Sequence, residues 1–199
     1  MGFQIQDGTG SNRKAGVNLQ NRLETLSIGQ SRVSDISERD GKAFIVASGF
    51  IPITVVGGLS THTYIKNESD DDLFIEAIRI CSDGGAGATG MNAFQTRLIK
   101  NPTAGTFFAT AVTAPGIQPA KIGSSQAFGG TALVANTPGL TLTDGSFMSN
   151  FITHTPGHSI QEYSGMIILT KGQSLALQVE TTVDGDICTE IQCWFEPPF

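Results

Sequence analysis

Charge is what this sequence has least of. Only 15% of its 199 residues are Asp, Glu, Lys or Arg, against roughly 25% in an ordinary globular domain. Cations are the scarcer kind: 12 Lys and Arg against 18 Asp and Glu give a formal net charge of −6. That balance argues against a nucleic-acid binder, which grips phosphates with clustered Lys and Arg. Acids are absent altogether between Gly84 and Thr143, a stretch that keeps Arg97, Lys100 and Lys121. One flank of an acidic chain is therefore mildly basic. Long apolar runs are also missing, and none approaches the roughly 20 residues that cross a membrane as a helix. The start, Met1-Gly2-Phe3-Gln4, lacks the basic and then apolar pattern of a secretory signal.

Cysteine is sparse and odd in number, at three. Cys188 and Cys193 lie five apart on one apparent strand, so they face opposite sides and cannot bridge each other. Cys81 is able to pair with either, but no spacing demands it. Three buried thiols in a protein made in a reducing compartment are the expectation.

Glycine is abundant, with 24 residues where average usage of about 7% would give about 14. Many turn-formers and few charges suit short strands joined by tight loops. Low charge also suits a surface covered by neighbouring subunits, because assembled proteins deplete charge where they meet.

Residues 1–41 are polar, with scattered Val17, Leu19, Leu23, Leu26, Ile28, Val33 and Ile36. Leu19, Leu23 and Leu26 fit a helix face, whereas Ala15, Val17 and Leu19 alternate as a strand does. So little apolar surface cannot fold alone, which marks an extended N-terminal arm lying on the main domain or on a neighbour. Residues 42–199 read as an antiparallel β-sandwich domain, jelly-roll-like, with long loops around 114–160. Ala43–Ala47, Phe50–Val56, Thr63–Lys66 and Leu73–Ile80 are β-rich runs, with Asn67 to Asp72 a hairpin loop between the last two. Phe94–Ile99 and Thr106–Thr113 flank a turn at Asn101-Pro102-Thr103-Ala104-Gly105. The clearest signal is at the end. Met166–Leu169 is an apolar run, while Ser174–Val183 and Ile187–Phe195 alternate apolar and polar residues. With turns at Thr170–Gln173 and Asp184-Gly185, the three runs are expected to pair as antiparallel hairpins. Eight to ten such strands make an all-β sandwich.

Several motifs carry residues that chemistry could use. Gly85-Ala86-Gly87-Ala88-Thr89-Gly90 is a literal G-x-G-x-x-G. It lacks a following helix long enough for a crossover, and the ribose-binding acid about 20 residues on is missing, so a loop is expected. His154-Thr155-Pro156-Gly157-His158 has zinc-helix spacing, but Pro156 and Gly157 forbid the helix. A loop metal site using His154, His158 and His62 or a carboxylate is the open alternative. Asp70-Asp71-Asp72 and Asp184-x-Asp186 offer carboxylates to calcium without an EF-hand pattern, and solvated loop charges are the plainer reading. Asn67-Glu68-Ser69 matches a glycan acceptor, expected to be unused without a secretory signal. Trp194, Phe195 and Phe199 read as core and edge packing, or as a Pro197-Pro198-Phe199 tail tucked into a neighbour. No catalytic, cofactor-binding or metal-binding residue is assigned, no cofactor is implied, and the chain is expected not to be an enzyme.

The chain resembles small β-sandwich virion proteins of tailed bacteriophages, of the kind that decorate or cement capsids. The resemblance is carried by Asn21-Arg22-Leu23, Gly41-Lys42-Ala43-Phe44 leading to Ser48-Gly49-Phe50-Ile51, and Tyr64-Ile65-Lys66-Asn67. Asn101-Pro102-Thr103-Ala104-Gly105-Thr106 and Lys171-Gly172-Gln173-Ser174-Leu175 complete it. It spans most of the chain loosely, and none of these motifs binds a defined ligand. It implies a virion structural protein stabilising a capsid lattice. Such a protein is homo-oligomeric, with a trimer favoured, and is bound to the major capsid protein or other virion proteins. It is made in the host cytoplasm and has neither nucleic-acid nor membrane partners. The alternative is a receptor- or glycan-binding module of a phage tail or neck, which needs aromatics beside carboxylates in the long loops; Phe128, Phe147, Phe151 and Tyr163 are the sparse supply. A cupin-like metal enzyme would need inward-facing histidines on strands.

Overall fold

A strand that alternates apolar and polar residues buries one face, and it needs a second layer to bury that face against. The computed structural model supplies two. It describes residues 36–37, 40–53, 59–84, 92–110, 116–135, 137–155, 157–181 and 184–198, and before them only three strand segments. The chain divides into two units, Met1–Ser31 and Arg32–Phe199. In the first, β1 (Ile5–Gln6), β2 (Lys14–Val17) and β3 (Leu23–Glu24) pair antiparallel in that order. Alternation at Ala15 and Val17 thus builds a strand, and Leu23 lies in a strand rather than on a helix face. Ile36, read in the sequence as part of the arm, packs in the second unit with Ala43, Phe74 and Trp194.

That second unit contains β4 (Ala43–Ile53), β5 (Ser60–Asn67), β6 (Asp72–Gly84), β7 (Asn92–Lys100), β8 (Gly116–Pro119), β9 (Gly130–Val134), β10 (Ser146–Thr155), β11 (Gly157–Leu169), β12 (Ser174–Thr181) and β13 (Gly185–Glu196). They form two five-stranded antiparallel sheets, in the orders β11-β6-β13-β4-β8 and β10-β7-β12-β5-β9. Without the short β8 and β9, each sheet has four strands, and the chain changes sheet at every connection except β7 to β10. That alternation is the jelly-roll topology. The segment between β7 and β10 adds β8 and β9 to the two sheets and a single helical turn, Thr106–Ala109. A strand was expected from Thr106; the aromatic pair Phe107-Phe108 instead turns and packs.

The expected terminal hairpins are corrected by this topology. The runs at Met166–Leu169, Ser174–Val183 and Ile187–Phe195 are strands, but β11, β12 and β13 alternate between sheets rather than pairing with one another. Asn67 to Asp72 likewise crosses from one sheet to the other. Gly185 is already in β13, opposite Ile53 and Gly84, so Asp184-Gly185 makes no tight two-residue hairpin turn. Period-two alternation states which face is buried and is silent about the strand partner.

Between the sheets lies one core of Phe44, Val46, Ile65, Leu73, Ile75, Ile78, Ile80, Phe94, Leu98, Leu175, Leu177, Val179, Ile187, Ile191, Cys193 and Phe195, among others. The outer face of the β5-β12-β7 layer is covered too: Tyr64, Ile99 and Ala176 pack under Phe107, Ala135 and Leu140. The other sheet's outer face has a small cap, Ile36 over Ala43, Phe74 and Trp194. Register across this sheet is fixed by bulges. Between β4 and β13 the pairing jumps at Ser48-Gly49, where Gly49 has φ +71° and Thr189 N donates to Ser48 Oγ at 2.9 Å. In β11 the chain swells over Tyr163 to Met166, and Gly165 (φ +76°) passes so close to Trp194 that a Cβ there would lie 2.8 Å from the indole.

Ile191 is fully buried on β13, facing Val46 and Ile78 across its two neighbours. Ile191→Ala should lower the unfolding free energy in urea by about 2–5 kcal/mol. Ile122→Ala, at a side chain fully exposed outside the strands, should change it by less than about 0.5 kcal/mol.

Candidate interaction surface

The exposed features concentrate on one sheet's outer face and on one pair of edges. Across β11, β6, β13 and β4 the outward residues form rows set by the register. One row is His158, Cys81, Cys188 and Phe50; the next is Ile160, Arg79, Glu190 and Ala47. A further row sets Glu162 beside Ala77, Gln192 and Ile45. Arg79 and Glu190 form an ion pair at 3.5 Å across the second row. Glu76, bulged out of the β6–β13 register, has its carboxyl pushed up by partial burial and then by the nearby Glu162.

The edges differ in kind. β8 and β9 are short, at 4 and 5 residues, whereas β10 and β11 run 10 and 13. These two long strands are the edges of opposite sheets on the same side, joined across a single residue. β10 exposes Phe147, Met148 and Ile152, and β11 exposes Ile160, Met166 and Ile168. From Gly145 to Thr170 the only Asp, Glu, Lys or Arg is Glu162. Sheet edges are usually guarded by lysine, proline or brevity. Here the partial guard is bulging, at Met148 in β10 and at Tyr163 to Met166 in β11.

The residues singled out from sequence are scattered. Gly85 to Gly90 lie outside the described residues. His158 is exposed on the outer face of β11, His154 belongs to β10 in the other sheet, and its side chain lies outside the described residues. His62 is buried between the sheets, so His62 and His158 do not converge. Asp70 is held by Lys171 at 2.6 Å, which keeps its carboxyl below the usual range, and Asp71 is held by Lys42. Each lysine takes one oxygen of its carboxylate. Asp186 is exposed on β13 and Asp184 lies just before it. Among the described residues, no group of three or more His, Cys, Asp and Glu side chains is placed to hold a metal. Asn67 is fully buried: its amide donates to Asp71 O and Leu169 O at 2.8 Å, and its oxygen accepts from Ser69 N. The sequon is a turn-forming device, closed to a glycan. A cleft of about 450 Å³ lies among Ile36, Asp40, Lys42, Gln126, Phe195, Glu196 and Pro197. Trp194 and Phe195 are core, stacked on Phe74 and set edge-on to Phe44; Phe199 lies outside the described residues.

Two features carry no mark in the sequence. Only Cys193 is a fully buried thiol, pushed up to about 12 by burial; Cys81 and Cys188 are half-buried and stand opposite each other on adjacent strands. This corrects the expectation of three buried thiols, while Cys188 and Cys193 do face opposite sides. The second feature is His62, extruded at a bulge where β5 slips against β12. Its Nδ1 lies 2.8 Å from Thr63 Oγ1, which lies 2.6 Å from Thr189 Oγ1. Among the described residues, its buried Nε2 has no hydrogen-bond partner. Burial lowers its pKa to about 4, against a smaller upward pull from the Ile187 backbone.

An unfolded histidine titrates near 6.5, so the unfolded chain takes up a proton that folded His62 refuses until about pH 4. Stability from this residue is fully present above about pH 6.5 and declines as pH falls toward 4, by up to about 3 kcal/mol. Urea unfolding should show this loss between about pH 7 and about pH 5, and His62→Gln should flatten that part of the profile.

Comparison with protein-family models, with curated proteins and with solved structures gives no match to this chain.

Proposed function

We propose that this chain is a structural subunit whose copies join through the charge-poor edges β10 and β11, and that its working form is a virion assembly. In the specific form implied by the sequence resemblance, the homo-oligomer, a trimer by that resemblance, decorates and stabilises a capsid lattice by binding the major capsid protein or another virion protein. The observation that carries the reading is the pair of long edges with six exposed large apolar side chains, Phe147, Met148, Ile152, Ile160, Met166 and Ile168, and one formal charge between Gly145 and Thr170. Backbone groups along such edges pair readily with another strand. Apolar area of this kind marks a protein contact. A second copy is the natural occupant because the patch offers almost no charge for an oppositely charged partner to read. Low charge over the whole chain points the same way.

Light scattering should give an oligomer for the wild-type protein. The double variant with Ile152→Lys and Ile160→Lys should be monomeric, with unchanged far-ultraviolet circular dichroism, because lysine is the usual guard of an edge. The wild-type protein should also sediment at stoichiometric copy number with particles from the cells that make it. A wild-type monomer at every concentration, found only in the soluble fraction, would overturn the proposal.

A further inference from the structure

The register of the outer face places two thiols together that lie far apart in sequence. Cys188 on β13 is the direct antiparallel partner of Cys81 on β6. Both point outward: their neighbours Ile80, Ser82, Ile187 and Thr189 are the buried, inward residues of the same strands. Directly opposed residues of an antiparallel pair have Cα atoms about 4.5 or about 5.5 Å apart, depending on the type of pair. Both values fall within the range of about 4.4–6.8 Å that a disulfide spans. Both cysteines are half-buried, so a small reagent can reach them, whereas Cys193 is sealed in the core.

We infer that Cys81 and Cys188 form a reversible dithiol–disulfide site on the sheet's outer face, closed by exchange with a small organic disulfide. One protein thiol loses its proton and, as thiolate, attacks a sulfur of the reagent R–S–S–R; the departing RS⁻ takes up a proton, and a mixed disulfide is left. The facing cysteine, as thiolate, then attacks the protein sulfur of that mixed disulfide. This forms the Cys81–Cys188 bond and releases a second RSH. Two protein S–H bonds and one reagent S–S bond are lost; one protein S–S bond and two reagent S–H bonds are gained. The two electrons pass from the protein thiols to the reagent.

The surroundings shape the reagent. Asp83 and Asp186 form the adjacent row on one side, and Glu190 stands on the other, ion-paired with Arg79. Such an acidic rim disfavours anionic disulfides and favours neutral or cationic ones. His158 flanks Cys81, and Phe50 flanks Cys188. Burial, and then the nearby Cys81, hold the Cys188 thiol above its ordinary range. Exchange should therefore be slow near neutrality and should speed up as pH rises and the thiolate fraction grows.

The test is to treat the folded full-length chain with uncharged hydroxyethyl disulfide, quench with acid, and weigh the intact protein. The inference expects a chain lighter by two hydrogen atoms, one remaining titratable thiol, and a digest in which the Cys81 and Cys188 peptides are joined. It also expects Cys188→Ser and Cys81→Ser each to stop at a single stable adduct. The unmodified chain alone decides the matter if either variant folds poorly. Two adducts without an internal bridge, a bridge to Cys193, or an unreacted chain would falsify it.

Discussion

β13 lies between β4 and β6, and its register decides which side chains of its whole sheet are inside. Ile187, Ile191, Cys193 and Phe195 enter the core from it, while Asp186, Cys188, Glu190 and Gln192 face out. A slip of one residue would exchange these sets, placing two carboxylates where four apolar side chains now pack. The bulges at Ser48-Gly49 and Glu76 act against that slip. Each adds a residue to one neighbour of β13, so only one alignment satisfies both sides.

From that constraint the exposed surface follows. One sheet buries both faces, because the segment between β7 and β10 folds back over Tyr64, Ile99 and Ala176. The same segment donates β8 and β9, which stop the far edges with short strands. Nothing in the described residues does this for β10 and β11. The fold therefore concentrates its unguarded backbone and exposed apolar side chains on one side, and a repeated structural subunit has use for such a side. His62, with Thr63 and Thr189, lies between the sheets, where it makes the core sensitive to acid.

The fold class was legible because alternation is local. Leu175, Leu177 and Val179 announce an inward face by spacing alone, as do Ile187, Ile191 and Cys193. Partner choice is set by non-local contacts, so the same spacing suggested hairpins where the chain crosses between sheets. The thiol pair was hidden for that reason: Cys81 and Cys188 meet only because β6 and β13 are neighbours. His62 was hidden because a bulge, with no sequence mark of its own, turned it inward. Asn67 was legible as a turn residue, but the depth of its burial was not.

The most direct test of the central claim is hydrogen–deuterium exchange measured in dilute and in concentrated solution. Amides of β10 and β11 should exchange readily when dilute and gain protection on concentration, with β13 protected in both. Edges that exchange at the same rate at both concentrations, or new protection confined to β8 and β9, would contradict the account.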